Sequence, residues 1–377
     1  MPIKSDGVQH GVVFADPYSY CAHPDAIRLR DGSIAMVFNR GPRRKSILHP
    51  PQDPMFVNVV TRSTDDGATW TAPQVAPDYG WNGTECAGLT ELADGRVMLN
   101  QFRGTWIPLA KARLMPRQPL MTWPAELLAR NLLVRVADGT AIEANPEVQA
   151  PWCRNGGRTW VHFSSDCGLS YGDGVEILTD PYVGGYGYHG GAVRADGRIL
   201  LPLTDAYIFR TIFLITSDDG GRSWSTPQHL ASQADSEFEE PATLLCRSGK
   251  VIMIMRDNGL RRLHQIDSTD GGLSWSPLRR LEIEGFPAHL AQLDDGRILM
   301  TYGWRLPGFG IRARWSEDEG ATWSEKEIVI RDDLPSGNLG YPCSLPGKDG
   351  DILTLYYGED CDGTTSILRS RWIMPDA

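Results

Sequence analysis

The chain has little of several features that would place it in a familiar class. Its seven cysteines are scattered and form no CxxC pair, which excludes a zinc ribbon and argues against a disulfide framework. No apolar run approaches the roughly 18 residues of a membrane helix, and residues 1–14 contain no apolar core of signal-peptide length. Acidic residues outnumber basic ones, 47 to 37, and the net charge is −10. These absences predict a cytoplasmic protein with reduced thiols whose partners are neither nucleic acids nor membranes.

Five copies of one short motif are present instead. The motif reads S-x-D-x-G-x-x-W, with Tyr in place of Trp once, and its copies begin at Ser63, Ser164, Ser217, Ser268 and Ser316. Such a recurrence indicates a repeat architecture. Each copy follows a β-rich run, so we expect it to close a hairpin. The Asp and Ser side chains would bond the backbone of the turn, and the Gly would supply positive φ. The motif therefore predicts a role in folding and not in catalysis.

A second repeat, a Gly-containing turn between two apolar strands, alternates with the first. Its turns lie at 31–32, 94–95, 196–197, 248–249, 295–296 and 349–350. A D-G turn between apolar runs is a strong hairpin signal. Six hairpins predict an all-β fold, a six-bladed β-propeller of four-stranded antiparallel blades in one domain over residues 1–377. We expect SILRSRWIM, near the C-terminus, to be the third strand of the last blade and residues 8–14 to be the fourth, which closes the ring.

One interval between these turns is much longer than the others. The turns at 94–95 and 196–197 are separated by about twice the usual spacing, and the excess maps to residues 103–150. We therefore predict an insertion in blade 2. Loops of this length in a compact domain are usually functional. The segment either covers an active site or is a surface elaboration or an oligomer contact.

Each predicted blade offers one titratable or polar residue shortly before its hairpin turn. These residues are His23, Glu85, His189, Glu240, His289 and Tyr341. The innermost strand of each blade lines the axis of a propeller, so the six side chains should converge at one end. Buried polar groups cost free energy unless they are paired, and a converging polar ring is typical of an active site. The alternative is that some of them fill the channel through hydrogen bonds and water.

The motif, the six blades and the order of these residues resemble the sialidase superfamily, whose propellers carry the same Asp-box. The resemblance implies that Tyr341, in GYPCSL, is a nucleophile and that Glu240, in EFEEPATLL, assists it. Glu239 and Glu237 are alternatives to Glu240. It also implies a general acid at Asp53, which lies ten residues before the first Asp-box.

The same resemblance implies that arginines hold the substrate. Arg256 and Arg305 would bind a carboxylate, because a planar guanidinium suits bidentate pairing. Arg312 competes with Arg305 for this role. Arg40, at the end of AMVFNRG, matches an accessory arginine that would orient a sugar hydroxyl or acid.

The first predicted inner strand departs from the sialidase pattern. Sialidases have an Arg-Ile-Pro motif there, and its arginine grips the substrate carboxylate. Here the strand reads Tyr20-Cys-Ala-His23-Pro24-Asp25, so His23 takes the place of that arginine. A histidine is charged only below about pH 6.5 when unperturbed, and it cannot form a bidentate fork. The substitution predicts either a different acidic sugar as substrate or an altered chemistry.

We therefore predict an exo-glycosidase that hydrolyses a terminal acidic sugar, sialic acid or a related one, with retention and without a cofactor. A neutral tyrosine suits an anomeric carbon that bears a carboxylate. One alternative is a propeller polysaccharide lyase acting on a uronate through His and Tyr. In that case His23, His189 and His289 could converge, and they could also hold a divalent metal. The other alternative is a non-catalytic propeller that binds carbohydrate.

Overall fold

The computed structural model describes residues 2–4, 7–43, 53–77, 83–108, 111, 114, 133–135, 141–143, 152–172, 174–206, 209–348 and 350–375. The first fourteen strands are β1 (Ile3–Lys4), β2 (Gln9–Phe14), β3 (Ser19–Arg28), β4 (Ile34–Pro42), β5 (Val57–Ser63), β6 (Gln74–Val75), β7 (Thr84–Glu91), β8 (Val97–Pro108), β9 (Leu133–Arg135), β10 (Ala141–Glu143), β11 (Trp152–Ser164), β12 (Val175–Ile177), β13 (Gly185–Tyr186) and β14 (Ala192–Val193). The others are β15 (Ile199–Asp205), β16 (Thr211–Ser217), β17 (Gln228–Ser232), β18 (Phe238–Leu245), β19 (Val251–Asp257), β20 (Arg262–Ser268), β21 (Arg279–Arg280), β22 (Ala288–Gln292), β23 (Ile298–Trp304), β24 (Gly310–Ser316), β25 (Ile328–Arg331), β26 (Leu339–Pro346), β27 (Asp351–Glu359) and β28 (Thr365–Ile373).

These strands form six antiparallel blades, which confirms the predicted propeller. From the axis outwards, the blades are β3-β4-β5-β6, β7-β8-β11-β12, β13/β14-β15-β16-β17, β18-β19-β20-β21, β22-β23-β24-β25 and β26-β27-β28-β2. In blade 3 the innermost strand is split into β13 and β14, which both pair with β15. The short strands β9 and β10 pair with each other.

The inner strands are apolar on both faces because each blade is packed between two others. Strand β4 shows the rule. Its Ile34, Met36 and Phe38 join a core cluster shared with blade 6, whereas Ala35 and Val37 join one shared with blade 2. Successive side chains of a strand point to opposite faces, so each strand contributes to two interblade cores. This accounts for the unbroken apolar runs that follow the hairpin turns.

The ring is closed as the sequence predicts. Strand β2 pairs antiparallel with β28 and becomes the outermost strand of blade 6. An addition that we did not predict lies next to it, where β1 pairs in parallel with β25 and gives blade 5 a fifth strand. Both additions cover the outer edges of blades, where unpaired backbone groups would otherwise invite pairing with other chains.

The Asp-boxes close the outer hairpins by local hydrogen bonds, as predicted. In the third copy, Ser217 Oγ donates to Asp219 Oδ1 over 2.9 Å and accepts the Gly221 N–H over 2.9 Å. Gly221 has φ of 86°, and an added Cβ would lie 2.8 Å from the Phe163 ring. The Trp224 indole donates back to the Gly221 carbonyl over 3.0 Å. Glycine is therefore required both by the backbone conformation and by the close approach of blade 2.

Most of the predicted insertion at 103–150 lies outside the described residues, so its role stays a prediction. Within the part of the chain that the structure covers, no helix has the length and apolar character needed to cross a membrane.

Candidate active site

Four innermost strands share a β-bulge near the end of the propeller opposite the Asp-boxes. At each bulge the ladder skips two residues, and the first of them has positive φ: 52° at His23, 42° at Cys86, 54° at Glu240 and 55° at Tyr341. A non-glycine residue in this region costs about 1–3 kcal/mol, and such residues cluster at functional sites. Proline follows three of the four residues, consistent with its preference for bulges inside sheets.

The structure brings three of the predicted residues into direct contact. The Tyr341 hydroxyl donates a short hydrogen bond to Glu240 Oε1. The other carboxylate oxygen of Glu240 lies 2.7 Å from Arg256 Nη1, and that nitrogen is also 3.5 Å from the Tyr341 hydroxyl. All three side chains are buried. Tyrosine, glutamate and arginine thus form one triangle built from blades 4 and 6.

A second carboxylate, Glu239, completes this cluster. Its Oε2 lies 3.4 Å from Arg256 Nη2 and accepts a 2.5 Å hydrogen bond from the Tyr186 hydroxyl. The Asn258 amide donates to its Oε1. Glu239 and Arg256 are direct cross-strand partners in β18 and β19, which explains why they meet. The sequence analysis named Glu239 only as an alternative to Glu240, and the structure places both residues at the same arginine.

Burial and charge shift the titration of this cluster. Burial raises the pKa of Glu240, and the neighbouring Glu239 adds to that rise, while Arg256 opposes it. Burial, together with the Glu240 charge, raises the pKa of Tyr341 well above its usual value. The two carboxylates raise the pKa of Arg256 despite its burial. A glutamate with a raised pKa is a stronger proton acceptor for the phenol than an exposed one.

His23 packs against the ring of Tyr341, with the ring centroids 3.9 Å apart. Its orientation is set by a chain of buried side chains that runs outwards through blades 1 and 2. Asn39 Nδ2 donates to Asn58 Oδ1, and Asn58 Nδ2 donates to Gln101 Oε1. The Asn39 oxygen, 3.0 Å from His23 Nδ1, must then accept, so this nitrogen carries a proton. The sequence analysis missed these amides, although polar residues in an apolar inner strand are a signal for them.

Of the two competing arginines, Arg305 is the one that lies at Tyr341. Its guanidinium carbon is 5.8 Å from the centre of the Tyr341 ring, and its Nε donates to the Leu339 carbonyl over 3.0 Å. Arg312 instead donates to the Gly308 carbonyl over 3.1 Å and lies 3.9 Å from Glu327. The geometry therefore associates Arg305, not Arg312, with the cluster.

Arg40 lies on β4, and Asp53 lies in the loop that follows this strand. Asp53 is fully buried in the loop between β4 and β5, at the same end as Tyr341, and its Oδ1 accepts the Met55 N–H over 2.9 Å. Arg40 pairs with Asp16 over 2.8 Å, contacts Ser19 and lies over the Phe14 ring. It points away from the face of β4 that carries Asn39, because neighbouring side chains of a strand alternate.

His189 and His289 lie deeper along the axis. His189 Nδ1 is 2.8 Å from Asp25 Oδ1, and its Nε2 is 3.1 Å from the Ala288 carbonyl. The two imidazole rings are 5.0 Å apart. Both histidines line a cavity of about 110 Å³. Burial and the proximity of His189 hold the pKa of His289 well below its usual value.

The three histidines are thus spread along the axis and have different partners. Among the described residues, no group of three or more His, Cys, Asp or Glu side chains could hold a metal ion. Glu85 lies on β7, one residue before the bulge, and Cys86 occupies the position equivalent to Glu240 and Tyr341. The side chain of Glu85 lies outside the described part of the structure.

Comparisons with known proteins agree with this architecture. A family model for the BNR repeat-like domain matches residues 132–355, more than half of the chain. No curated protein sequence matches the chain.

Several solved structures are similar in fold. A protein of unknown function from Dyadobacter fermentans is 24% identical, has a TM-score of 0.81, and aligns over 98% of this chain and 100% of its own. The intramolecular trans-sialidase from Ruminococcus gnavus, solved with oseltamivir carboxylate, is 16% identical, with a TM-score of 0.66 and 98% coverage of both chains. The NanB sialidase of Streptococcus pneumoniae, as its K499G mutant, is 13% identical, with a TM-score of 0.67 over 96% of this chain and 70% of its own.

Proposed function

This chain belongs to the BNR repeat-like domain family, and from that premise we propose that it is a sialidase-like exo-glycosidase that removes a terminal acidic sugar with retention. The observation that supports this proposal is the buried contact among Tyr341, Glu240 and Arg256. A phenol that is hydrogen-bonded to a buried carboxylate is activated as a nucleophile, because the carboxylate can act as the general base that takes its proton. A protein that only binds sugar has no need of this pair.

In the first step, the Tyr341 oxygen attacks the anomeric carbon and its proton passes to Glu240. The bond from that carbon to the leaving oxygen breaks, and Asp53 supplies the proton that this oxygen takes up. Arg256, 3.5 Å from the phenolic oxygen, stabilises the negative charge that develops there. A neutral nucleophile suits this reaction, because a carboxylate nucleophile would be repelled by an anionic sugar.

In the second step, Asp53 takes a proton from water and the water oxygen attacks the anomeric carbon. The bond to Tyr341 breaks, and Glu240 returns the proton to the phenolic oxygen. Two displacements at one carbon restore the original configuration. Arg256 and Arg305 hold the carboxylate of the sugar during both steps.

The test is product analysis with a variant that lacks the nucleophile. The protein is incubated with sialyl and glucuronyl oligosaccharides, and proton NMR identifies the released sugar and its first anomer. We expect an acidic monosaccharide with retained configuration. Tyr341→Phe should lower turnover by about 10³-fold or more, because losing a nucleophile removes most of the catalysis. Tyr356→Phe is the matched control, since its buried hydroxyl bonds Ser370 on the outer side of blade 6.

Two outcomes would contradict the proposal. Full activity of Tyr341→Phe would show that Tyr341 is not the nucleophile. Release of an unsaturated uronate, which absorbs in the near ultraviolet, would show a lyase instead of a hydrolase.

A further inference from the structure

Each terminal nitrogen of the Arg256 guanidinium already faces a glutamate. Nη1 lies 2.7 Å from Glu240 Oε2, and Nη2 lies 3.4 Å from Glu239 Oε2. The remaining Nε is buried and has no hydrogen-bond partner among the described residues. A bidentate carboxylate needs two parallel N–H donors. Every such pair on a guanidinium includes a terminal nitrogen, so an entering carboxylate shares a nitrogen with at least one of the two glutamates.

The two glutamates differ in how firmly they hold the arginine. Glu240 makes the shorter contact, its side chain is only 3% exposed, and it is also bonded to Tyr341. Glu239 makes the longer contact, and its side chain is 13% exposed. It also accepts hydrogen bonds from Tyr186 and Asn258. Glu239 can therefore leave Arg256 and still keep two partners, whereas Glu240 cannot move without breaking the contact with the nucleophile.

We propose that Glu239 determines specificity by occupying the place on Arg256 that the carboxylate of the substrate takes. This inference rests on the proposed function, because it assumes that an acidic sugar enters at Tyr341. An entering carboxylate would otherwise be the third negative group at one guanidinium, and like charges at this distance repel strongly. The substrate displaces Glu239 towards Tyr186 and Asn258 and makes two N–H···O bonds where Glu239 makes one long contact.

The histidine at position 23 increases the importance of this exchange. His23 is held by Asn39 and packs on the Tyr341 ring, and it cannot offer the fork of an arginine. The carboxylate must then depend on Arg256 together with Arg305. A sugar without a carboxylate would leave Glu239 in place, so the enzyme should distinguish an acid from its neutral ester mainly at this residue.

The experiment compares binding of acids and esters by calorimetry, independently of turnover. The ligands are sialic acid, glucuronic acid and their methyl esters, and the proteins are the natural chain and Glu239→Gln. We expect Glu239→Gln to bind the acids about tenfold more tightly, because one like charge at the arginine is gone, and to bind the esters unchanged. Glu237→Gln is the matched control, since it removes an exposed charge two residues away.

Each other outcome contradicts the inference. Equal tightening of acids and esters, or no tightening in Glu239→Gln, would show that Glu239 does not compete with the ligand. A failure of both proteins to bind either acid would show that Arg256 is not a carboxylate site. Release of an acidic sugar from a sialyl or glucuronyl oligosaccharide by the same preparation would then locate the error in this inference and not in the proposed glycosidase. If Glu239→Gln unfolds, Glu239→Asp, which withdraws the carboxylate from Arg256, should tighten binding of the acids in the same direction.

Discussion

Both ends of the propeller carry carboxylate side chains, but the pKa values of these carboxylates are shifted in opposite directions. At one end, the Asp-box carboxylates are almost fully exposed, and their partners lie within four residues of them. Hydrogen bonds from Thr69 lower the pKa of Asp65 to about 2, and those from Ser223 do the same for Asp219. At the other end, Glu240 is buried among residues from distant blades, and its pKa is raised. Repeated local contacts lower the pKa of the Asp-box carboxylates, whereas burial raises that of Glu240.

The two ends also differ in how far their side chains vary from blade to blade. The Asp-box end repeats almost unchanged in five blades, as a folding element must. The opposite end uses one backbone device, the bulge with positive φ, to present a different side chain in each of four blades: His23, Cys86, Glu240 and Tyr341. The bulges thus place different side chains on a common backbone, as the proposed active site requires.

The largest effect on stability should come from removing the arginine between the two glutamates. Arg256→Met leaves Glu239 and Glu240 buried without a counter-charge, and breaking a buried ion pair on one side costs about 3–5 kcal/mol. Chemical denaturation measures the loss. A change below about 1 kcal/mol would show that the carboxylates are neutral or rearranged, and the contrast between the two ends would weaken.

The second prediction separates the ends by pH. The proposed mechanism needs ionised Glu240, so kcat/KM should fall about tenfold per pH unit below a midpoint above the usual glutamate value of about 4.3. The Asp-box carboxylates have lowered pKa values, so their stabilisation is complete above about pH 3.9 and is lost only as the pH approaches 2. A pH series of kcat/KM beside circular dichroism checks this. Loss of fold and of activity at the same pH would break the comparison.

A smaller effect is expected from one Asp-box. Ser217→Ala removes the hydroxyl that bonds Asp219 and the Gly221 N–H and should cost about 1 kcal/mol. Thermal and denaturant unfolding measure it, and hydrolysis should keep its natural rate. A large loss of activity would mean that the Asp-box end communicates with Tyr341.

The smallest effect should follow the loss of Arg40. Its pair with Asp16 is partly exposed, and surface pairs contribute about 0–1 kcal/mol. Arg40→Met should therefore change unfolding by less than about 1 kcal/mol and leave KM nearly unchanged, which also makes it the control for Arg256→Met. A strong rise in KM would show that Arg40 contributes to substrate binding, as the family resemblance implies.

Much of the architecture was predictable because it depends on local signals. The Asp-boxes, the six hairpins and the closing strand β2 all follow from turn chemistry and apolar runs. The parallel strand β1 was not predictable, since Ile3–Lys4 is too short to carry a pattern.

Only those parts of the candidate site that depend on the identity of single residues could be predicted from the sequence. Tyr341, Glu240 and Arg256 were identified, and the structure joins them. Counting back from the turns selected Glu85 where the bulge presents Cys86, because one inserted residue changes the register. The X-Pro pairs at His23, Glu240 and Tyr341 mark that register. The pairing of Glu239 with Arg256 depends on cross-strand register, which the pattern of one strand does not contain.

Closure of the ring by β2 also determines the order in which the molecule can fold. His10 on β2 bonds Ser370 on β28, and the two residues are 360 positions apart. Contacts at such separation form slowly, because the entropy of bringing distant segments together is lost before the contact is gained. Blades 1 to 4 can assemble from strands that are near in the sequence, but blade 6 needs two segments that are more than 350 positions apart. The six residues Gln9–Phe14 therefore hold the ring closed, and their loss would leave the outer edge of β28 unpaired.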